Sequence, residues 1–244
     1  MNVKRRGTAI KSISRAVWAA ALLALTAAVL YLSQRPVALT YHLILEQPYN
    51  ENEQLFVKPG DFDAQIRWLK ENGYTFLFAG EYTHRFRKAV MITLDDGYED
   101  NYTNALPILE KYGAKATVFV ATDSVGNPDK MKPDQLRRMA ESGLVSLGSH
   151  TAAHGDITLL SGPQKEEDLA RSERTLYELT GTRPDCVSWP YGKCDLGAMR
   201  AAGGRFRFGY ATQTPLSLYP FRLRRVTVNR GISPEQFADL VKKG

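Results

Sequence analysis

Short apolar runs alternate with amphipathic segments from residue 37 to the end of the chain, and this pattern restricts the possible folds more than any other feature. The apolar runs are predicted strands: Val37 to Leu43, Tyr74 to Phe78, Ala89 to Leu94, Ala116 to Val120, Val145 to Gly148, Cys186 to Trp189, Phe208 to Thr212 and Arg225 to Val228. The predicted helices are Asp61 to Asn72, Asn104 to Tyr112, Pro133 to Ser142, Gln164 to Thr180 and Pro234 to Lys242. Such alternation is typical of parallel β/α architecture.

The seven or eight predicted β/α units occupy about 210 residues, whereas a regular eightfold barrel uses about 250. We therefore expect an irregular or incomplete barrel. In such folds the chemistry gathers at the C-terminal ends of the strands. In the first predicted helix, Asp61 can cap the start and Gly73 is placed to end the helix.

The composition indicates one main folded domain, because 43% of the 244 residues are hydrophobic and only 24% are charged. Five of the six net positive charges precede residue 16, which leaves +1 for the rest of the chain. No basic face with interleaved aromatic residues follows, so a nucleic-acid partner is not expected. We expect a monomer.

The N-terminal segment is predicted to be a signal-anchor helix. A basic stretch precedes Ala16 to Leu32, a run without any charged residue. At about 1.5 Å per residue the run spans roughly 25 Å, which is short for a bilayer core of about 30 Å. Its basic flank predicts a cytoplasmic N-terminus and places the rest of the chain outside the cytoplasm. The predicted domains are therefore 1–33, the basic stretch and anchor, and 34–244; a cleaved signal, giving a secreted protein, and a buried core helix are the alternatives.

Cys186 and Cys194 are the two cysteines of the chain. Export would allow them to form a disulfide, and a separation of eight residues around a turn permits one. Two free cysteines remain the alternative.

Two adjacent carboxylates follow the predicted strand Ala89 to Leu94. Asp95 and Asp96 precede Gly97, and a glycine-assisted turn can bring both side chains into one pocket. A polar turn without catalytic function is the alternative interpretation of this segment alone.

Two histidines, His150 and His154, follow the predicted strand Val145 to Gly148. If this segment forms a helical turn, residues at i and i+4 share a face and both imidazoles can bind one ion. A carboxylate from another strand end would complete a His, His, Asp set that leaves ligand positions open for water and substrate, as hydrolytic metal sites require.

Two further strand ends carry candidate residues. Trp189, Pro190 and Tyr191 follow one strand, and His42 ends the first. Each has a structural alternative: an aromatic residue packed in the core, or a histidine without a catalytic role.

The chain resembles the polysaccharide deacetylases of carbohydrate esterase family 4, the NodB-homology family, over roughly residues 37 to 240. The family motif Thr-Phe-Asp-Asp-Gly corresponds to Thr93 to Gly97, and His-Ser/Thr-x-x-His corresponds to His150 to His154. The resemblance implies a deformed (β/α)7 barrel, Asp95 as general base, and Asp96, His150 and His154 as ligands of one divalent metal ion.

The chain departs from the family pattern in two places. Ser188 stands where the Arg-x-Pro-Tyr motif has its arginine, although Pro190 and Tyr191 match, and Arg225 is a candidate to orient the base instead. No histidine follows His154 to match the late Leu-x-His motif. The opening Tyr-His resembles the subgroup that deacetylates poly-N-acetylglucosamine, which makes His42 the candidate general acid.

The implied activity is removal of N-acetyl groups from an N-acetylated polysaccharide, either an exopolysaccharide or peptidoglycan. Zn²⁺ is the expected ion, with Co²⁺ or Ni²⁺ able to replace it. The backbone N–H of Tyr191 is a candidate oxyanion donor, and Trp189, Pro190 and Tyr191 are candidate substrate-binding residues. An O-acetyl esterase and a glycan-binding module without turnover are the rival interpretations.

Overall fold

A computed structural model describes residues 17–26, 35–47, 54–83, 88–212 and 219–243. The strands are β1 (Val37–Tyr41), β2 (Leu43–Ile44), β3 (Phe56–Val57), β4 (Thr75–Phe76), β5 (Ala89–Leu94), β6 (Ala116–Val120), β7 (Val145–Ser149), β8 (Cys186–Ser188), β9 (Phe208–Ala211), β10 (Leu223–Arg224) and β11 (Val226–Thr227). The helices are α1 (residues 17–26), α2 (Pro59–Glu71), α3 (Leu106–Tyr112), α4 (Pro133–Glu141), α5 (Gly162–Thr180), α6 (Leu196–Ala202) and α7 (Pro234–Lys243).

Seven parallel strands form the barrel when β10 and β11 are counted as one strand. The hydrogen-bonded order is β10-β9-β8-β7-β6-β5-β1-β11. The two ends of this order, β10 and β11, are consecutive pieces of one strand that flank Arg225. Leu223 pairs with Tyr210 on one side and Val226 pairs with Leu39 on the other, so this broken strand closes the barrel.

The alternation of side chains along each strand divides the core into two layers. Outward-facing residues such as Leu39 and Ile92 pack with Phe62 and Ile66 of α2 in the larger hydrophobic cluster. Inward-facing residues fill the barrel: Ala38, Ala89, Met91, Phe119, Cys186, Tyr210 and Leu223. The barrel is therefore a packed core, and only its mouth is open to polar chemistry.

Gly148 shows how tightly the interior is filled. A Cβ atom at this position would lie 2.5 Å from the ring of Phe119, so a side chain here on β7 would displace that ring. The Phe119 ring in turn lies beneath the guanidinium of Arg225, 5.3 Å from its central carbon.

The predicted (β/α)7 architecture is confirmed, but several elements differ from their predictions, and helix α6 was not predicted. The first predicted strand ends at Tyr41, and His42 interrupts it before β2 pairs with β3 outside the barrel. The predicted strand Tyr74 to Phe78 is reduced to the two residues of β4. This short strand pairs with the start of β5 and is not one of the seven barrel strands. The cap predicted for Asp61 is wrong, because α2 begins two residues earlier, at Pro59, and Asp61 lies in its first turn.

The N-terminal helix α1 is exposed and belongs to a separate unit from the barrel. The segment predicted as a membrane anchor, Ala16 to Leu32, extends beyond α1 at both ends into residues outside the described ranges. The basic stretch before it also lies outside them. Among the helices that the structure describes, none combines the length and apolarity needed to cross a bilayer.

Both cysteines are free. Cys186 is buried inside the barrel, where burial raises the pKa of its thiol, and Cys194 is half-buried. Of the two alternatives that the sequence allowed, a disulfide and two free cysteines, the structure has the free cysteines.

Candidate active site

The two adjacent aspartates leave β5 in different backbone conformations. Asp95 continues the strand alternation of Met91 and Thr93, so its side chain faces the barrel interior. Asp96 has a φ of 72°, a left-handed conformation that is uncommon outside glycine. This turn brings the second carboxylate to the same pocket, as predicted from the sequence, with Gly97 (φ 68°) directly after it.

Arg225 holds the Asp95 carboxylate by both oxygens. Its Nη1 donates to Asp95 Oδ1 at 2.7 Å and its Nη2 to Asp95 Oδ2 at 2.6 Å. The same guanidinium donates to Thr93 Oγ1 at 3.0 Å and to Ser188 Oγ at 2.6 Å. Arg225 is 3% exposed and Asp95 2%, so this is a buried, bidentate ion pair.

The motif position that lacks an arginine is therefore occupied by a residue that contacts Arg225. Ser188 receives the guanidinium with its hydroxyl group, and its carbonyl oxygen lies 2.8 Å from His150 Nδ1. The small side chain leaves the space that the guanidinium enters from the closing strand.

His150 and His154 meet through a non-helical turn, so the predicted helical turn is wrong. Thr151 and His154 both have positive φ angles, 64° and 55°. Buried Asp168 from α5 accepts hydrogen bonds from the backbone N–H groups of residues 152 and 153, at 2.9 and 3.1 Å. The predicted proximity is confirmed, since the two imidazole rings lie 4.9 Å apart.

Asp96 and the two histidines form the cluster in the described residues that could hold a metal ion. Asp96 Oδ1 lies 3.2 Å from His150 Nε2 and 2.9 Å from His154 Nε2. This oxygen is buried and has no hydrogen-bond partner among the described residues. The Ser188 carbonyl accepts a hydrogen bond from His150 Nδ1–H, which leaves the Nε2 lone pair free for an ion. The donor set and the orphaned oxygen both fit a divalent cation.

Burial and charge shift the pKa values of this site in opposing directions. Burial raises the pKa of Asp95, but attraction by Arg225 and His150 outweighs it and holds that pKa below its ordinary value. Burial also raises the pKa of Asp96, but the two imidazoles that face its carboxylate outweigh burial and hold that pKa well below its usual range. For His150, burial lowers the pKa, and the nearby carboxylates raise it further than burial lowers it. Burial dominates at His42, whose pKa is lowered. Both carboxylates are therefore ionised at neutral pH.

A cavity of about 320 Å³ joins these groups at the barrel mouth. His42 lines it together with Asp95, Asp96, both metal-site histidines and Arg225. The structure therefore brings the predicted candidates from five strand ends to one cavity, including the first strand and the last.

The aromatic candidates after β8 differ in exposure. Tyr191 is 61% exposed, has a φ of 57° and lies against His154 with the ring centres 5.4 Å apart. Trp189 is 1% exposed and donates its indole N–H to the carbonyl of Phe221 at 2.8 Å. Its ring is part of a buried cluster, so Tyr191 is the aromatic side chain that substrate could reach.

Sequence reasoning missed the roles of Thr93, Ser188 and Asp168. Thr93 could have been found from strand alternation, because it is two residues before Asp95 and faces the same interior. Asp168 carries no such signal, since it lies on a helix and only tertiary structure brings it to the histidine turn.

A closed parallel barrel that presents a buried carboxylate beside an Asp-His-His cluster at its mouth defines a hydrolase with a candidate metal centre. The sequence model of the family described as polysaccharide deacetylase matches residues 84–203. YxkH of Bacillus subtilis, whose name carries the same family description, is 30% identical over 215 residues, which cover 84% of this chain and 75% of YxkH. The chain belongs to the polysaccharide deacetylase family.

Two further comparisons agree. The poly-β-1,6-N-acetyl-D-glucosamine N-deacetylase of Staphylococcus aureus is 28% identical over 251 residues, covering 87% of this chain and 84% of that protein. The crystal structure of BC0361, a polysaccharide deacetylase from Bacillus cereus, superposes with a TM-score of 0.77 at 28% identity, covering 85% of this chain and 69% of that one. The resemblance inferred from the motifs is confirmed at the level of the family and its fold.

Proposed function

We propose that this protein is a metal-dependent hydrolase that removes N-acetyl groups from a polysaccharide containing N-acetylglucosamine. The observation that carries the proposal is one cavity lined by Asp95, by the Asp96, His150 and His154 cluster, and by His42. A base, a candidate metal site and a candidate acid in one cavity are the parts that amide hydrolysis needs. The S. aureus relative, named for its action on poly-β-1,6-N-acetyl-D-glucosamine, supports the substrate class.

Asp96, His150 and His154 would hold the ion. When bound, a divalent cation lowers the pKa of a coordinated water to about 7 and polarises an acyl oxygen. The two imidazoles and one carboxylate are a donor set that suits Zn²⁺, with Co²⁺ or Ni²⁺ as replacements.

Asp95 is the proposed general base. Its carboxylate stays ionised because Arg225 pairs with both oxygens, and it can accept a proton from the attacking water. The bidentate contact also fixes the orientation of the carboxylate, which is the proposed role of Arg225.

His42 is the proposed general acid, which donates a proton to the departing amine nitrogen. The backbone N–H of Tyr191 is the proposed donor to the oxyanion, and its exposed ring is the proposed contact with a sugar. Pro190 starts the short turn that presents Tyr191.

The absence of the motif arginine no longer favours a binding module without turnover, because Arg225 supplies a guanidinium to Asp95. We place the catalytic domain outside the cytoplasm, anchored by the segment Ala16 to Leu32, on the basis of the basic flank and apolar run alone.

The test is acetate release by the purified, metal-loaded protein from N-acetylglucosamine oligomers, peptidoglycan and O-acetylated xylan. We expect release from an N-acetylated glycan, loss with a chelator and recovery on addition of Zn²⁺. Release from xylan alone would identify an O-acetyl esterase instead, and no release from any glycan would refute the proposal. Protease accessibility of the domain in intact cells tests the location.

A further inference from the structure

His42 lies where the chain leaves the barrel. β1 ends at Tyr41 in a ladder with β5 and β11, whereas β2 begins at Leu43 and pairs with β3. The carbonyl of His42 therefore makes no ladder hydrogen bond with a described strand of the barrel. Its side-chain Nδ1 is buried and has no hydrogen-bond partner among the described residues. The position of this imidazole consequently depends on how firmly its backbone is held.

Three side chains hold that backbone. Asn101 Nδ2 donates to the carbonyl oxygen of His42 at 2.8 Å. Asp100 Oδ1 accepts from the N–H of Ile44 at 2.8 Å, and Asn104 Nδ2 donates to the carbonyl oxygen of Ile44 at 2.7 Å. Asn101 Nδ2 also donates to Asp100 Oδ1 at 2.9 Å, which links two of the three side chains.

These contacts replace a missing strand. On one edge, the N–H groups of Leu43 and Leu45 donate to the carbonyls of Leu55 and Val57, as in a parallel ladder. On the opposite edge, no strand of the described residues pairs with β2, and side-chain amide and carboxylate groups satisfy its backbone instead. Buried backbone groups without a partner destabilise a fold, so these side-chain contacts hold the segment in place.

The local helix geometry places the three side chains together. Residues Asn101–Ala105 form a π-helical segment before α3, a rare conformation that occurs frequently at functional sites. This segment begins only five residues after Asp96, so one continuous stretch carries the proposed base, a metal ligand and the side chains that hold His42.

We infer that Asp100, Asn101 and Asn104 form a clamp that positions His42 for proton donation, an inference that rests on the proposed function. The three are positioning residues, because they act on the backbone around His42 and do not line the cavity. Misplacing a catalytic group by about 1 Å can cost on the order of 10²-fold in rate. The clamp therefore matters most for the step in which the amine needs a proton.

The test compares two substrates: an N-acetylglucosamine oligomer, whose amine must be protonated, and an activated acetyl ester, whose leaving group needs no proton. The full chain is loaded with Zn²⁺, and kcat is measured for the wild type, Asn101→Ala and Asn104→Ala. Thr103→Ala is the matched control, since Thr103 lies in the same segment, is exposed and donates its hydroxyl to the carbonyl of Glu99 within its own turn.

We expect Asn101→Ala to keep its metal and to lose amide turnover by roughly 10- to 10²-fold, with a much smaller loss on the ester. Asn104→Ala, which is less buried, should show the same selective loss to a smaller degree and serves if Asn101→Ala does not fold. Thr103→Ala should match the wild type on both substrates.

Two outcomes overturn the inference in distinguishable ways. Equal losses on amide and ester, or no loss in a folded and metal-loaded Asn101→Ala, would show that the clamp has only a structural role while the proposed function stands. If the wild type releases no acetate from the oligomer, the proposed function fails and the clamp inference fails with it.

Discussion

Arg225 and Asp95 are 130 positions apart in sequence and are joined by two hydrogen bonds of 2.7 and 2.6 Å inside the barrel mouth. Arg225 sits between β10 and β11, the two short pieces that close the barrel. Closure of the barrel and orientation of the proposed base therefore depend on the same strand.

Arg225→Ala should raise the pKa of Asp95, because the buried carboxylate would lose the partner that offsets its burial. In the wild type, the lowered pKa of Asp95 adds stability above the unfolded-state pKa of about 3.9, and this is lost as the pH falls through the lower folded-state value. We expect the variant to lose about 3–5 kcal/mol in the free energy of unfolding at neutral pH. The acid limb of kcat/KM should move to higher pH.

Urea unfolding and pH–rate profiles check this prediction. Arg224→Ala is the matched control, since Arg224 is the exposed neighbour on β10. An unchanged acid limb in a folded Arg225→Ala would show that Arg225 does not set the protonation of Asp95.

The adjacent carboxylates should respond differently to the same substitution. Asp95→Asn should keep the metal and lose turnover by a factor on the order of 10² to 10⁴, the usual contribution of a general base. Asp96→Asn should lose metal affinity first and recover part of its activity at high metal concentration. Metal content by elemental analysis, measured beside kcat, separates the two roles; identical metal loss in both variants would contradict the assignment.

Metal binding should weaken as the pH falls. The pKa of His150 lies above its ordinary value, so protons compete with the ion for its Nε2, and binding releases protons. We expect about one equivalent of Zn²⁺ at pH 8 and a weaker affinity at pH 6, measured by calorimetry in buffers of different ionisation enthalpy. A His150→Ala, His154→Ala double variant with wild-type metal content would refute the site.

His42→Ala should retain its metal and lose more activity on an N-acetylated amine than on an activated acetyl ester, because only the amine leaving group needs a proton. Both substrates are assayed with the same preparation. A structural histidine would depress both equally, and full amide activity in the variant would require another proton donor.

Asp100→Asn should stabilise the protein at neutral pH. Burial raises the pKa of Asp100 to about 6, so the folded state binds its proton more tightly than the unfolded state, and the stability from this group is lost as the pH rises from about 4 to about 6. Asparagine keeps the acceptor for Ile44 without the charge. The folded and unfolded pKa values of Asp100 differ by about 2, which limits the gain in the free energy of unfolding to about 3 kcal/mol.

Denaturant unfolding of both proteins at pH 4 and pH 8 checks this expectation. The difference should be small at pH 4, where the carboxyl is protonated in the wild type, and should appear above pH 6. A pH-independent difference would mean that lost contacts, and not charge burial, set the effect.

Local sequence signals predicted the barrel class, the family and the residues that meet at the site. Strand periodicity and two spaced motifs are local signals, and the C-terminal ends of parallel strands share one rim, which places Asp95, Asp96, His150, His154 and His42 near one another. The expectation of an arginine for Asp95 also arose from sequence, from the departure at Ser188.

How these groups are held could not be predicted from local signals. The left-handed turn at Asp96, the support of the histidine turn by Asp168 and the clamp around His42 depend on backbone conformation and on contacts between distant segments. Burial of the Trp189 ring also depends on contacts between distant segments, and its position at a strand end did not predict it. Periodicity reports which face of an element is apolar, whereas the partner of each polar group is set by how the closed barrel packs the elements together.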